Sequence, residues 1–500
     1  MKILFVGFYG AAGRKIIEKT CAKSAVTEYI LIGEDNHQIE NVRSRFLHRR
    51  YFRNAQVTKD VVRSCRPLDA DLYEQMARYE VEFYQQNERI NRTHTLDLYG
   101  TRREFYLRSL AYFNDLLEVE SFDAVILSNI PHTNYDLLLY GLARCKHLPV
   151  LCFYRTPIIP DRFFYLYSLE NIYDHRAQQL RDLTRQYHEK PVSEKAGIRQ
   201  RLKDSINGWD EIVGRSARVG LSPAAQPGRS APTILKEKLT RLFARLFLRT
   251  ASTVRLNKLE GYPGVARKRG RLEKARMKYL NQQCEQYYEI HSVRPVAGET
   301  YVYFPLHKQP EATTGPLGGF FQDQRQAIDM LSKCLPAGWK IYVKEFPHQR
   351  LTHRSRGYYD ELLGMDNVRL IKKDVNSIEL VKGSAFVATV TGTAAWEAFW
   401  LEKPAVLFGY SLLCAAKGMF DVKTASDLRG VLTEIPSVCI DEEDRMAWLF
   451  AVDQLAFKAY LEPYKPAVQN SAFSEDENAE AVSREICSFL KKHLGGATAS

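Results

Sequence analysis

The residues best suited to hold a phosphate group lie in the stretch VATVTGTAAWEAFWLEKPAVLFG, at positions 387–409. An apolar run ends there, and Thr391-Gly392-Thr393 leads directly into a helical pattern. The free N–H groups and the dipole of a helix start attract phosphate, and threonine hydroxyls can cap the helix or donate to a ligand. Gly392 lets the main chain approach a ligand, and Glu397, one turn further on, can accept hydrogen bonds from ribose hydroxyls. The stretch predicts a nucleotide site, with an ordinary capped core helix as the alternative.

Two further polar loops follow strand-like runs in the same part of the chain. YVKEFPHQR at 342–350 places a lysine and a glutamate at the end of its run, and a cation there would complete a phosphate site. QPEATT at 309–314 offers an amide suited to a base edge or a sugar. A solvated lysine–glutamate pair and a polar proline turn are the plainer interpretations. From these loops we assign further residues to the predicted nucleotide site, which would hold the donor of a transferred group: Gln309, Pro310, Glu311, Lys344, Glu345, Pro347 and His348.

The first half of the chain offers candidates for proton transfer. Glu34 and Asp35 end one strand-like run, and His132 lies in a Pro-His loop after another. Group transfer to a hydroxyl needs a base, or a nucleophile if the reaction passes through a covalent intermediate. We predict that one of these three residues has that role, although each can also be structural.

The cysteines and apolar segments bear on where the chain works. Nine dispersed cysteines without a CxxC pair fit reduced cytosolic thiols better than disulfides or a zinc site. Asp69-Ala70-Asp71 has a metal-binding DxD form, but it begins a helical stretch, where a capping role fits better. No apolar run approaches the ~18 residues that a membrane span needs. These features predict a cytoplasmic chain without a metal site or a cofactor.

Short apolar runs alternate with helical patterns in two parts of the chain, which is typical of parallel sheets. The predicted fold class is α/β, with two Rossmann-like domains facing across a cleft and a helical, basic insertion between them. The carboxyl ends of the strands in such sheets hold ligands. The predicted divisions are 1–167 for the first domain, 168–298 for the insertion with a flexible linker at 216–232, 299–465 for the second domain, and 466–500 for a C-terminal helix and a tail.

The net charge of +12 is concentrated in one segment. Residues 235–278 contain fourteen lysines and arginines but only three glutamates. In its first part, LKEKLTRLFARLFLR, a stripe of Arg241, Arg245 and Arg249 runs beside an apolar face. Such a helix lies on an anionic membrane surface, unless it packs on its own protein. We predict that this segment binds the inner face of the cytoplasmic membrane, and no recognition motif points to nucleic acid.

Three motifs, PLHKQPEATTGPLGG, YVKE-x-P and TGTAAWEA, resemble in order and spacing the capsule polysaccharide biosynthesis family. That family is related to capsular Kdo transferases and other GT-B enzymes that use CMP-activated sugars. The resemblance is strong over 299–410 and weaker at 128–144 and 155–165. It implies that a Gln-Pro loop and a His-Pro motif hold CMP, here Gln309-Pro310 and Phe346-Pro347. Because Phe346 stands where the family has histidine, either His348 substitutes for it or the nucleotide is held differently.

The resemblance implies a glycosyltransferase that moves a CMP-activated acidic sugar, Kdo or a nonulosonic acid, onto a capsular or lipopolysaccharide glycan. The nucleotide-sugar is then a substrate, and the partners are a glycan or glycolipid acceptor and an anionic membrane surface. Two alternatives are a GT-B transferase that uses a UDP- or GDP-sugar, and a non-catalytic assembly protein at the membrane surface. Nucleotide binding separates the last of these from the others.

Overall fold

The structure is a computed structural model that describes residues 1–53, 62–90, 99–156, 159, 162–169, 176–205, 278–309, 311, 314–347, 349, 354–461 and 473–495. The structural statements that follow concern these residues. Several of the predictions lie outside them, namely the stripe of Arg241, Arg245 and Arg249, the linker at 216–232, and the donor-site candidates Pro310 and His348.

The described elements alternate between strands and helices along most of the chain. The strands are β1 (Lys2–Val6), β2 (Glu28–Gly33), β3 (Arg43–His48), β4 (Ala124–Leu127), β5 (Val150–Arg155), β6 (Arg162–Leu166), β7 (Tyr301–Pro305), β8 (Lys340–Lys344), β9 (Val368–Ile371), β10 (Phe386–Thr389), β11 (Ala405–Leu407), β12 (Met419–Asp421) and β13 (Phe457–Lys458). The helices are α1 (Gly10–Lys23), α2 (Arg50–Arg53), α3 (Ala70–Ile90), α4 (Tyr99–Glu120), α5 (Asn134–Cys145), α6 (Gln178–Glu189), α7 (Val192–Ser205), α8 (Gln324–Cys334), α9 (Arg356–Leu363), α10 (Ser377–Gly383), α11 (Thr393–Trp400), α12 (Ala425–Glu434), α13 (Glu442–Leu455) and α14 (Glu475–Leu494).

The first sheet has seven strands in the order β13-β6-β5-β4-β1-β2-β3. The strands β1 to β5 are parallel, whereas β6 is antiparallel to β5 and β13 is antiparallel to β6. All four residues of β4 are buried, as expected for a central strand covered on both faces. The chain adds strands on one side of β1 and then on the other, so the strand order reverses between β1 and β4.

The second sheet has six parallel strands in the order β12-β11-β10-β7-β8-β9. The chain runs from β7 outward to β9, returns to the centre, and runs from β10 outward to β12. The order therefore reverses between β7 and β10. In open α/β sheets a crevice forms at such a point, outside the carboxyl ends of the strands.

The end of the chain returns to the first sheet. The strand β13 pairs with β6, although its residues lie within the range 299–465 predicted for the second domain. The helix α14 then lies against α1, where Lys19 Nζ is 3.1 Å from Asp476 Oδ2 and Lys23 pairs with Glu480. The start of α14 is defined by a capping box between Ser474 and Glu477.

The predicted α/β class with two domains built on parallel sheets is confirmed. The helices α6 and α7 and a helical stretch at 278–291 fall in the range 168–298 predicted for the insertion. Within the described ranges, no helix has the length and apolar content needed to cross a membrane.

Candidate functional site

A partly buried histidine occupies the point where the strand order of the second sheet reverses. His307 follows β7, and its Nε2 lies 2.9 Å from Thr389 Oγ1 at the end of β10. The same Nε2 accepts a hydrogen bond from the main-chain N–H of Thr391 at 3.3 Å. Burial, and secondarily the charge of Arg354, lowers the pKa of His307 to about 4. The imidazole is therefore neutral near pH 7, and it fixes the loop that leads into α11.

Gly392 is the N-cap residue of α11, so no side chain caps this helix. Its φ of −71° is open to any residue, but a Cβ at this position would lie 2.7 Å from Thr389 Oγ1 and 2.9 Å from His307 Cε1. Contacts within the protein therefore require glycine here. The expectation that a threonine caps the helix was wrong, because Thr393 is already the first helical residue. The first N–H groups of α11 consequently have no side-chain cap to bind them.

Glu397 and Lys344 are both buried beside this helix start. The Glu397 side chain lies one turn into α11, and burial raises the pKa of its carboxyl to about 7 against the opposing charge of Lys344. Lys344 donates to Ser377 Oγ at 2.8 Å and to the Val375 carbonyl, and burial lowers its pKa. The site thus brings one carboxyl and one amine together in an environment that disfavours both charges.

Glu345 forms a buried ion pair with Arg354 in the connection that follows β8. Its carboxylate accepts from Arg354 Nε at 3.1 Å, from the Tyr359 hydroxyl at 2.7 Å and from the Phe346 main-chain N–H at 2.7 Å. The alternative of a solvated Lys344–Glu345 pair is therefore wrong, because both side chains are buried. As a ligand contact Glu345 remains a prediction, but its acceptor positions are largely occupied.

Arg354 connects this ion pair to the Gln-Pro loop. Its Nη1 donates to Gln309 Oε1 at 3.1 Å and its Nη2 donates to the His307 carbonyl at 2.7 Å. The Gln309 amide nitrogen bonds the Gln322 carbonyl, so both ends of this amide are already engaged in the protein. The structure thus brings the loop after β7 and the loop after β8 together through one guanidinium.

Two further residues of the predicted nucleotide site, Pro347 and Glu311, are more exposed than Lys344 and Glu345. Pro347 is exposed beside Phe346, whose side chain is 37% exposed. Glu311 is half-buried, and its main-chain carbonyl accepts from Gly315 N–H at 3.1 Å. Their roles in ligand binding remain predictions.

The three candidates in the first domain lie beyond the carboxyl ends of β2 and β4. Glu34 is paired with Arg49, and Asp35 accepts from Gly10 N–H at 3.0 Å at the start of α1. His132 Nδ1 lies 3.0 Å from the Ile130 carbonyl, which can only accept a hydrogen bond. That contact favours the tautomer with hydrogen on Nδ1 and leaves Nε2 able to take a proton. Glu34 and Asp35 thus have contacts within the protein, and a role of any of the three residues in proton transfer remains a prediction.

Two residues at the centre of this network are absent from the sequence-based site. His307 is part of the quoted motif PLHKQPE, and its position just after a strand was the only signal available. Arg354 lies outside the three quoted motifs, and its role follows from tertiary contacts alone. Among the described residues, no cluster of three or more His, Cys, Asp or Glu side chains could hold a metal ion.

Residues 271–434 match the family model described as "Capsule polysaccharide biosynthesis protein". Over these residues the resemblance to this family is confirmed. The match spans the second sheet from β7 to β12, and it includes His307, Lys344 and the start of α11. No curated protein matches the sequence significantly.

Several solved structures share a weak overall similarity with the chain. The Thermosulfurimonas dismutans KpsC beta Kdo 2,4 transferase is 14% identical, with 70% of this chain and 83% of that chain covered and a TM-score of 0.34. The beta Kdo 2,7 transferase of the same KpsC is 8% identical, with 97% of this chain and 99% of that chain covered and a TM-score of 0.33. UDP-GlcNAc 2-epimerase from Neisseria meningitidis, bound to UDP-GlcNAc, is 13% identical, with 98% of this chain and 100% of that chain covered and a TM-score of 0.25. The similarity to the capsule polysaccharide biosynthesis family therefore rests on the sequence match over residues 271–434 alone.

Proposed function

We propose that this chain is a GT-B glycosyltransferase that adds a sugar to a bacterial capsular or lipopolysaccharide glycan. The family match over residues 271–434 supports a role in capsule polysaccharide synthesis. The observation that carries the enzymatic proposal is the start of α11, which has no side-chain cap and lies where the strand order of the second sheet reverses. Open α/β sheets bind nucleotides at such points, and helix starts bind their phosphates.

Each part of the site has a task in this proposal. The N–H groups at the start of α11, with the hydroxyls of Thr391 and Thr393, bind the donor phosphate, and Glu397 accepts from ribose hydroxyls. His132 Nε2 takes the proton of the acceptor hydroxyl as that oxygen attacks the donor sugar. The helix start and Lys344 stabilise the charge on the departing nucleotide, so that transfer proceeds without a metal ion.

The proposed donor is a CMP-linked acidic sugar, Kdo or a nonulosonic acid, as the family resemblance implies. Phe346 departs from the family pattern, because a phenyl ring cannot donate a hydrogen bond to phosphate. An exposed ring can instead stack on a nucleobase. Phosphate recognition then depends on the start of α11 more strongly than in a protein with histidine at this position.

Nucleotide binding measured by calorimetry tests this proposal. The wild-type protein is titrated with CMP, UDP and GDP, and we expect CMP to bind most tightly. The double substitution Thr391→Val/Thr393→Val should weaken CMP binding at least about tenfold, because hydrogen bonds to a charged group contribute about 1.5–3 kcal/mol each. Thr433→Val, which changes an exposed threonine at the end of α12, is the matched control and should bind CMP normally.

The panel also separates the alternatives. Preference for UDP or GDP would replace the CMP-sugar by another donor, while the transferase itself would stand. Absence of binding with all three nucleotides would favour a non-catalytic assembly protein. Unchanged CMP affinity in a folded double variant would remove the phosphate site from α11.

We also propose that residues 235–278 hold the enzyme at the inner face of the cytoplasmic membrane, where lipid-linked acceptors are anchored. The purified protein should sediment with anionic liposomes and be released by high salt, since each cation near such a surface contributes roughly 1 kcal/mol. Changing Arg241, Arg245 and Arg249 to Glu should abolish sedimentation but leave transfer to a short soluble acceptor intact. Equal sedimentation of the variant would mean that the stripe does not face lipid.

A further inference from the structure

The side chain of Gln86 is buried without a partner between the two domains. It lies near the end of α3, and only 1% of its surface is exposed. Within the described part of the chain, neither the amide oxygen nor the amide nitrogen has a hydrogen-bond partner. Buried amides are nearly always hydrogen-bonded, because leaving the bond unmade away from water is unfavourable. The unpaired amide of Gln86 therefore points to a hydrogen-bond partner that is a bound ligand and not part of the protein.

The end of α3 is fixed at the edge of the first sheet where the carboxyl ends of its parallel strands lie. Asn87 Oδ1 accepts from Asn134 Nδ2 at 2.9 Å, and the same nitrogen lies 2.9 Å from the Phe52 carbonyl. Asn134 is the first residue of α5 and follows the loop that carries His132. Through its neighbour, Gln86 is thus held beyond the carboxyl end of β4.

The loop that faces Gln86 belongs to the second domain. A Cβ on Gly315 would lie 2.5 Å from Gln86 Nε2, so the main chain of this loop packs directly on the amide. Gly315 N–H already donates to the Glu311 carbonyl at 3.1 Å, and the Gly315 carbonyl accepts from Gly318 N–H at 3.2 Å. The loop therefore covers the amide of Gln86 without bonding to it.

Gln86 consequently lies between the carboxyl ends of the strands of the two sheets. It faces the loop that carries Gln309 and Glu311, which are predicted to bind the donor nucleotide-sugar. A side-chain amide both donates and accepts hydrogen bonds, which matches a sugar hydroxyl. We propose that Gln86 binds a hydroxyl group of the donor sugar, which takes the place of its contact with Gly315. This inference rests on the proposed function, and it assigns recognition of the donor sugar to a residue of the first domain.

The test compares Gln86→Met with Gln85→Met, which changes the same residue type at the adjacent, half-buried position of α3. Affinities for CMP, CMP-Kdo and CMP-N-acetylneuraminic acid are measured by calorimetry, and Tm is measured without ligand. We expect wild type and Gln85→Met to bind one CMP-sugar more tightly than CMP. Gln86→Met should lose about tenfold of this preference, as expected for a lost hydrogen bond, and should bind CMP itself normally.

The Tm measurement distinguishes a ligand contact from a structural one. Methionine has nearly the shape of glutamine, so replacing an unpartnered amide should leave Tm equal to or above that of Gln85→Met. A lower Tm for Gln86→Met would overturn the inference, because it would show that the amide stabilises the fold. Full retention of the CMP-sugar preference, or a loss confined to the KM for the acceptor, would also overturn it. Absence of CMP, UDP and GDP binding by wild type would instead reject the proposed function on which the inference depends.

Discussion

Replacing Arg354 by methionine is expected to lower the free energy of unfolding of the second domain by about 3–5 kcal/mol, since removing one partner of a buried ion pair leaves the other charge uncompensated. The Arg354 and Glu345 side chains are 1% and 0% exposed. The substitution also removes the hydrogen bonds to Gln309 and to the His307 carbonyl, and it removes the guanidinium 4.4 Å above the Tyr358 ring. The loss is thus electrostatic and structural together.

Differential scanning calorimetry checks this expectation. For a domain of this size, the transition of the second domain should shift downward by roughly 10 °C. The matched control is Arg294→Met, which breaks an ion pair with Asp374 whose side chains are 66% and 64% exposed. Exposed pairs contribute about 0–1 kcal/mol, so the control should shift the transition very little. Equal shifts in the two variants would contradict the structural role of the buried pair.

The same guanidinium shows where sequence-based prediction succeeded and where it stopped. The apolar runs that form β7, β8 and β10 predicted the parallel sheet, because parallel strands buried on both faces are almost entirely hydrophobic. The ends of these runs also predicted the loops that follow the strands. The use of Glu345 and Gln309 within the protein could not be predicted, because it depends on Arg354, which approaches them only after the loops are folded. Residue type alone does not distinguish a carboxylate that binds ligand from one that binds arginine.

Long-range contacts account for the other differences. The strand β13 has only two residues, and its pairing with β6 depends on the return of the chain to the first sheet. Gln86 is one of many polar residues in a helix, and its amide is buried without a hydrogen-bond partner only because the fold packs Gly315 against it. His307 likewise acquires its neutral state from burial between β7 and β10. Local patterns in the sequence carry none of this information.

Glu397→Gln is expected to make the protein more stable than wild type at pH 8, with a difference that shrinks as the pH falls toward 5. Burial raises the pKa of Glu397 from 4.5 to about 7, so between these values the folded protein holds a proton that the unfolded chain has released. Stability from this carboxyl is therefore fully present below pH 4.5 and is lost as the pH rises through 7. The loss amounts to about 3 kcal/mol at most, from 1.36 kcal/mol per pKa unit.

Urea unfolding of both proteins at several pH values between 5 and 8 measures this difference. Glu379→Gln is the matched control, because Glu379 lies on the neighbouring helix α10 with a side chain that is 66% exposed. Its stability should follow that of wild type at every pH. CMP affinity supplies the functional readout: if the ionised Glu397 accepts from ribose hydroxyls, wild-type affinity rises as the pH passes through 7, and the Gln variant lacks this rise. Parallel stability profiles for wild type and Glu397→Gln would show that this carboxyl is already ionised below pH 7, and would remove it as the titrating group beside α11.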